Sequence, residues 1–231
     1  MNFHIISAFP GVFTNFLNES ILKRAHEAGV VQYFVHDLRE YSTDKHRTID
    51  DYPYGGGPGM ILKPGPVFRA VEDIISRFDV EDPRIILTSA TGKILDQQYA
   101  NEIAANEDET LIIICGHYKG VDERVRLHLA TEEICIGNYV LTGGELPALI
   151  LVDSIVRLLP NVLGDFDSAA GDSFQSDLFD CAYFTRPQDF RSLLVPEVLL
   201  SGHHEKISEW RKTSSEENTR LRNPEKNRKK K

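Results

Sequence analysis

The sequence predicts an α/β protein built on a parallel β-sheet, because short apolar runs alternate with segments of helical periodicity. Runs rich in apolar residues lie at 3–8, 84–87 and 111–115. Strands of this kind are buried on both faces, as in a parallel sheet covered by helices. Ligands of such a sheet bind in the loops at the carboxyl ends of the strands. After Pro160 the chain becomes rich in glycine, serine and aspartate, which indicates a linker before a small helical domain.

Each further element follows from its local pattern. Apolar residues between Phe13 and Leu22 share one side of a helix that Gly29 ends, and Pro147 stands early in a later helix, as helix starts prefer. In chain order, the patterns predict strands at 30–35 and 133–140 in addition to the three above, helices at 64–77, 95–105, 122–129 and 146–159, and a helical segment at 196–212.

Length, composition and charge limit the class of protein. The 231 residues, 41% hydrophobic and 26% charged, suit one large domain with a small appendage. Because no apolar stretch approaches about 20 residues and the first residues lack a signal-peptide pattern, we expect a cytoplasmic protein. Three widely spaced cysteines predict reduced thiols. The net charge of −9 divides into an acidic body and a basic end, since residues 201–231 hold ten lysines and arginines against five acids.

Three loops with small residues follow predicted strands, at 89–92, 116–120 and 137–144. Glycines in such loops permit positive φ and a close approach of the backbone to a ligand. Each loop alone could be a tight strand-to-helix turn, but three of them at one sheet edge favour a shared pocket. The P-loop and GxGxxG fingerprints are both absent from the sequence, so a nucleotide-like ligand would bind in another way.

Two charged residues have both a structural and a functional interpretation. Arg157 lies four residues after Asp153 on a helix that is otherwise apolar nearly all round. It either forms an intrahelical ion pair with Asp153 or faces an anionic group or the edge of a nucleic-acid base. That apolar helix is buried on every side or packs against a second subunit. Asp172, in the linker, is a turn or cap residue or a general base.

The stretch 44–60 is dense in charge and then in glycine, which indicates a lid over a substrate or a plain connector. His46 and the pair His203 and His204 lack partners at metal-ligand spacing, so no metal site is predicted.

Five segments of the chain form a distinctive set, in this order: DKHRTIDDYPYGGGPGM, ICGHYKGVDERV, IGNYVLTGGELPALILVDSIVRLLP, GDSF and DCAYFTRP. Together they closely resemble the bacterial tRNA (guanine-N1)-methyltransferase family, of the knotted SPOUT superfamily. The resemblance implies a parallel sheet with a deep C-terminal trefoil knot, bound S-adenosylmethionine, and a homodimer with shared active sites. It also implies that the substrate is tRNA, methylated on N1 of the guanine at position 37.

The resemblance also implies a domain division and roles for individual residues. The knotted cofactor-binding domain would span 1–160, the interdomain linker with the catalytic aspartate 161–175, and a helical tRNA-binding domain with a basic tail 176–231. Asp172 would be the general base, and Arg157 would stabilise negative charge on the guanine. The implied cofactor-binding residues are Ser89, Gly116, Tyr118, Ile136, Gly137, Tyr139, Val140, Leu141, Gly143 and Gly144.

Three positions depart from the family pattern. His117, Lys119 and Asn138 stand where arginine, glutamate and aspartate are usual. In the family, the carboxylates usual at positions 119 and 138 are associated with the cofactor and with divalent ions. We therefore expect weaker cofactor affinity, and the Mg²⁺ dependence stays open. These departures motivate an alternative function, a non-catalytic RNA-binding relative that kept the fold. The presence of Asp172 and Arg157 favours the enzyme.

Overall fold

The computed structural model describes residues 1–163, 173–174 and 178–222. The chain divides into two compact units, Met1–Gly164 and Asp165–Lys231. The first unit contains a five-stranded sheet in which every neighbouring pair is parallel. Its strand order is β2 (Gln32–Asp37), β1 (Asn2–Ser7), β6 (Thr110–Cys115), β5 (Arg84–Ile94) and β7 (Glu132–Cys135). The predicted α/β class with a parallel central sheet is therefore confirmed.

The first unit consists of seven strands, six α-helices and one 3-10 helix among its described residues. Its strands are β1 Asn2–Ser7, β2 Gln32–Asp37, β3 Asp50–Asp51, β4 Ile61–Leu62, β5 Arg84–Ile94, β6 Thr110–Cys115 and β7 Glu132–Cys135. Its helices are α1 Gly11–Leu17, α2 Ser20–Glu27, the 3-10 helix Leu38–Tyr41, α3 Pro64–Phe78, α4 Gln97–Ala104, α5 Glu123–His128 and α6 Glu145–Val156.

The central strands bury both of their faces, because alternate side chains enter two separate apolar cores. On β6, Leu111 and Ile113 belong to the core that includes residues of α1, α2, α4 and α6. Ile112 and Ile114 of the same strand belong to the core that includes residues of α3 and α5. All four side chains are fully buried. This alternation explains why the strand is apolar from Leu111 to Cys115.

Several predicted elements were wrong in their extent. The strand predicted at 84–87 continues to Ile94, and the helical segment predicted at 196–212 forms two helices, Glu197–Leu200 and His204–Arg222. The helical pattern between Phe13 and Leu22 forms two helices, because Asn18 ends α1 with its side-chain amide donating to the Thr14 carbonyl at 2.7 Å. The strand predicted at 133–140 ends at Cys135. Beyond it the chain turns at Gly137, where φ is +154° and the Tyr139 N–H donates to the Gly137 carbonyl at 2.9 Å.

The second unit is described from its own residues alone. It contains the short antiparallel pair β8 Asp189–Phe190 and β9 Leu193–Leu194, then α7 Glu197–Leu200 and the 19-residue helix α8 His204–Arg222. Side chains of α8 bind the segment before the pair: Thr219 Oγ1 accepts from the Phe179 N–H at 2.8 Å, and Ser214 Oγ accepts from the Ala182 N–H at 2.9 Å. Among the described residues, no helix has the length and apolarity needed to span a bilayer.

The buried His4 on β1 contacts the half-buried His36 on β2. His4 Nδ1 lies 3.1 Å from His36 Nε2, and the His4 ring stacks on Phe34 with 4.6 Å between centroids. Phe78 packs edge-on against His4 at 4.5 Å. Burial, and then the neighbouring His36, lower the pKa of His4 to about 4. His4 is therefore neutral in the folded protein at pH 7.

Acidification is expected to destabilise the first unit through His4. Since the pKa of His4 is lower in the folded chain than the ordinary 6.5, the unfolded chain binds the proton first as pH falls. The stabilisation is complete above pH 6.5 and decreases by about 3 kcal/mol as pH falls toward 4. Urea unfolding across this range should show a shallower pH slope for His4→Phe. The same change at exposed His128 should keep the wild-type slope, and equal slopes for wild type and His4→Phe would contradict the assignment.

Candidate functional site

Three loops at the carboxyl edge of the sheet enclose a cavity of about 670 Å³. They follow the paired part of β5, the end of β6 and the end of β7. The cavity is lined by all ten residues predicted to bind a cofactor: Ser89, Gly116, Tyr118, Ile136, Gly137, Tyr139, Val140, Leu141, Gly143 and Gly144. The structure thus brings together residues separated by up to 55 positions in the chain, and their binding role remains a prediction.

The first loop is an interruption within β5. The pairing of β5 with β7 shifts register between Thr88 and Lys93, so residues 89–92 leave the ladder. Within this loop Ser89 Oγ lies 2.9 Å from Thr91 Oγ1, and Thr91 Oγ1 donates to Glu133 Oε2 at 3.0 Å. A β-bulge of this kind exposes backbone and side-chain polar groups that a regular strand would pair.

The second and third loops meet at Gly144. The Gly144 N–H donates to the Gly116 carbonyl at 2.6 Å, and the Gly116 N–H donates to Thr88 Oγ1 at 3.2 Å. A Cβ at Gly144 would collide with Thr88 Oγ1 and lie 2.7 Å from the Gly116 nitrogen. Glycine is therefore required for the three chain segments to approach this closely.

The lining of the cavity combines apolar walls with polar groups. Tyr139, Val140 and Leu141 are exposed in the third loop, and Leu87 and Ile134 contribute from their strands. Charged side chains also line it, namely Lys119, Glu123, Arg126 and Glu133. Such a surface suits a ligand with a flat apolar ring, polar edges and a charged chain. No cluster of three metal-ligating side chains occurs within the part of the chain that the structure describes.

The stretch 44–60 borders a second cavity, of about 530 Å³. Asp44 accepts N–H groups of His46 and Thr48, and these hydrogen bonds, the Thr48 backbone first, lower the pKa of Asp44 to about 2. Beyond its glycines the stretch contacts the second loop, at 116–120, since the Lys119 N–H donates to the Met60 carbonyl at 3.0 Å. This contact places the end of the stretch beside the main cavity, whether it acts as a lid or as a connector.

Of the two predicted catalytic residues, only Arg157 lies in the described part of the chain. Arg157 is the C-cap of α6, and it is not among the described residues that line the cavity. Partial desolvation raises the pKa of Asp153, and the positive charge of Arg157 opposes this rise, so the two side chains interact. Asp172 lies outside the described residues. Sequence reasoning missed two polar residues, Thr88 and Glu145, which are buried beside the cavity within β5 and at the start of α6.

The fold and the cavity define an α/β protein with a candidate small-molecule site at the carboxyl edge of a parallel sheet. The family described as "tRNA (Guanine-1)-methyltransferase TrmD" matches residues 1–229 of the chain. The chain belongs to this family, and the prediction that it is a methyltransferase enzyme is confirmed.

Individual relatives agree with this membership over nearly the whole chain. Proteins named tRNA (guanine-N(1)-)-methyltransferase from Bacillus subtilis and Anoxybacillus flavithermus are 52% and 50% identical, each over 97% of this chain and 91% of the relative. A crystal structure of a tRNA (m1G37) methyltransferase from Aquifex aeolicus superposes with a TM-score of 0.80. It is 35% identical and covers 97% of this chain and 94% of that one.

Proposed function

We propose that this chain transfers a methyl group from S-adenosylmethionine to N1 of the guanine at position 37 of tRNA. The observation that carries the proposal is the cavity of about 670 Å³, into which three loops bring all ten expected cofactor-binding residues. Family membership supports tRNA as the substrate and methyl transfer as the reaction. A tRNA substrate is also consistent with the cytoplasmic location expected from the sequence.

The residues of the cavity fit this cofactor. Leu87, Ile134 and Leu141 provide apolar surface for a base, and the loop backbone provides polar groups at its edges. S-adenosylmethionine supplies a methyl group already activated on a positively charged sulfur. The protein then has to align this donor with its acceptor and to exclude water. The hydrogen bond between Gly144 and Gly116 holds two of the three loops together, which favours that alignment.

Neutral guanine is a poor nucleophile because N1 carries a proton. We assign Asp172 as the base that removes this proton, and Arg157 as the cation that stabilises negative charge on the guanine edge. The guanine must leave the stack of the anticodon loop, which costs least in a single-stranded region. The helical segment 176–231 would bind tRNA phosphates, with its basic tail at 223–231, outside the described residues.

The proposal includes a homodimer whose subunits complete each other's active sites. Four large apolar side chains, of which Phe16 and Ile150 are 45% exposed, lie on the contacting helices α1 and α6. The others are Val12 and Leu146, 46% and 54% exposed. Such a patch on adjacent helices supports burial against a second copy. The partner subunit would then bring its own Arg157 and Asp172 to this cavity. The chain's own Arg157 is not among the described residues that line it. The proposal includes the trefoil knot that the family resemblance implies, and the close contact between the loops at Gly116 and Gly144 is consistent with it.

Ile150→Glu is expected to disrupt this dimer, because a charge would be buried in an apolar interface. Light scattering should then show a monomer, and methyl transfer should fall by about a hundredfold or more as shared sites are lost. Leu127→Glu is the matched control, since Leu127 is 56% exposed on α5. A dimeric Ile150→Glu with normal activity would argue against shared sites built on this face.

The decisive experiment is incubation with tRNA transcripts and methyl-labelled S-adenosylmethionine. Label should enter a tRNA with guanine at position 37 and not its matched transcript with adenine there. Nuclease digestion should recover the label as N1-methylguanosine. Tight tRNA binding without label transfer would favour the non-catalytic alternative. Parallel reactions with and without EDTA test whether a divalent ion is required.

A further inference from the structure

Glu145 is a buried carboxylate to which the proposed mechanism gives no role. It is the first residue of α6 and only 6% exposed. The Ser7 hydroxyl donates to Glu145 Oε1 at 2.8 Å, and the same hydroxyl accepts the Phe9 N–H at 2.9 Å. Within the part of the chain that the structure describes, no ion pair joins Glu145 to a cation. Burying a carboxylate without such a pair is costly, which points to a use for its charge.

His117 connects this carboxylate to the cavity. The Tyr118 N–H donates to His117 Nδ1 at 2.9 Å, so the neutral ring carries its proton on Nε2. A Cβ at Gly143 would collide with Glu145 Oε2 and lie 3.0 Å from His117 Nε2. The carboxylate oxygen and the protonated ring nitrogen thus approach Gly143 together, while His117 and Gly143 both line the cavity. Glu145 therefore lies directly behind the cavity wall.

The other acids described near the cavity already have cationic partners. Glu123 and Glu133 both contact Arg126, at 2.8 Å and 3.5 Å from its Nε. Lys119 adds a further positive charge to the lining. The charge of Glu145 also acts on its surroundings: burial first, and then Glu145, raise the pKa of the Cys115 thiol. Of the three described carboxylates of Glu123, Glu133 and Glu145, only that of Glu145 has no ion pair within the described part of the chain to offset its charge.

We infer that Glu145 is a specificity residue that makes the cavity favour the cationic methyl donor over its neutral product. This inference rests on the proposed function. Methyl transfer breaks the bond between carbon and sulfur, and the electron pair of that bond stays on sulfur, which becomes an uncharged thioether. The guanine N1 lone pair forms the new bond, and the N1 proton goes to the base. A carboxylate in a poorly solvated wall therefore attracts the positively charged sulfur before transfer but not the uncharged thioether after it.

The test compares the affinities of S-adenosylmethionine and S-adenosylhomocysteine by calorimetric titration of the full-length protein. Glu145→Gln keeps the side-chain length and an oxygen to accept from Ser7, but it removes the charge. Its preference for the cation over the neutral ligand should fall on the order of tenfold relative to wild type. If Glu145 had a purely structural role, the variant would bind both ligands more weakly by the same factor. An unchanged ratio of the two affinities would therefore overturn the inference.

Two further variants keep the test decisive. Glu109→Gln removes a carboxylate bound to Arg84 at the start of β6, far from the carboxyl edge, and should leave the ratio unchanged. If Glu145→Gln does not fold, His117→Arg replaces it, because an arginine facing Glu145 would offset the same charge and lower the same ratio. An unchanged ratio there would also refute the inference. A wild-type protein that binds neither ligand would instead refute the proposed function itself.

Discussion

Asp172→Ala is expected to lower kcat for methyl transfer by about a thousandfold and to change cofactor affinity by less than about twofold. The physical reason is that a positioned base accounts for rate factors of roughly 10² to 10⁴. Without the carboxylate, the proton on guanine N1 has no acceptor. Guanine then stays neutral, and N1 has no free lone pair with which to attack the methyl group. The cofactor, by contrast, would bind in a cavity whose walls come from residues before 148.

Single-turnover rates with preformed enzyme–tRNA complex measure this effect without interference from product release. Asp167→Ala is the control, because it removes a carboxylate from the same linker segment and should retain activity. Methyl transfer by Asp172→Ala at more than about a tenth of the wild-type rate would exclude Asp172 as the base.

Gly144→Ala is expected to destabilise the first unit by about 3 kcal/mol, the largest structural effect that we predict. The added Cβ collides with Thr88 Oγ1 and lies too close to the Gly116 nitrogen, so the contact between two loops must open. The hydrogen bond from the Gly116 N–H to Thr88 Oγ1 would be lost with it. Since these loops form the cavity, cofactor affinity should fall by more than about tenfold.

Urea denaturation and calorimetric titration measure the two effects. Gly11→Ala is the control, because a Cβ there meets nothing within 4 Å, and its stability should change by less than about 0.5 kcal/mol. Adding Thr88→Ala to Gly144→Ala removes one colliding atom and should recover part of the stability. If the stability losses of Gly144→Ala and Thr88→Ala simply add in the double variant, the proposed collision is contradicted.

The central strands could be predicted from sequence because burial on both faces leaves a continuous apolar run. β6 shows this most clearly, since Ile112 and Ile113 enter opposite cores and neither tolerates a polar side chain. The alternation of elements then placed three loops at one edge, and the structure gathers them around one cavity. The extent of β7 was not predictable in this way. Residues 136–140 contain β-forming side chains, but the turn at Gly137 depends on backbone conformation.

The candidate site was less accessible to sequence reasoning than the fold. Spacing alone left Arg157 as an ion-pair residue or a catalytic one, and its proposed role comes from the family resemblance. Thr88 and Glu145 were missed because the apolar surroundings that bury them form only when distant segments of the chain come together. Ser7, the partner of Glu145, is 138 positions away in the chain, and no local pattern records such a contact.

β7 forms one outer edge of the sheet, and its short length has a consequence for solubility. An outer strand presents unpaired backbone groups that can recruit a strand from another molecule. β7 has four residues, and two of them are acids held in place, Glu132 by Arg84 at 3.5 Å and Glu133 by Arg126 at 3.5 Å. An incoming strand would have to displace these ion pairs to gain few hydrogen bonds. The same short strand that opens the cavity therefore protects the protein from edge-to-edge aggregation.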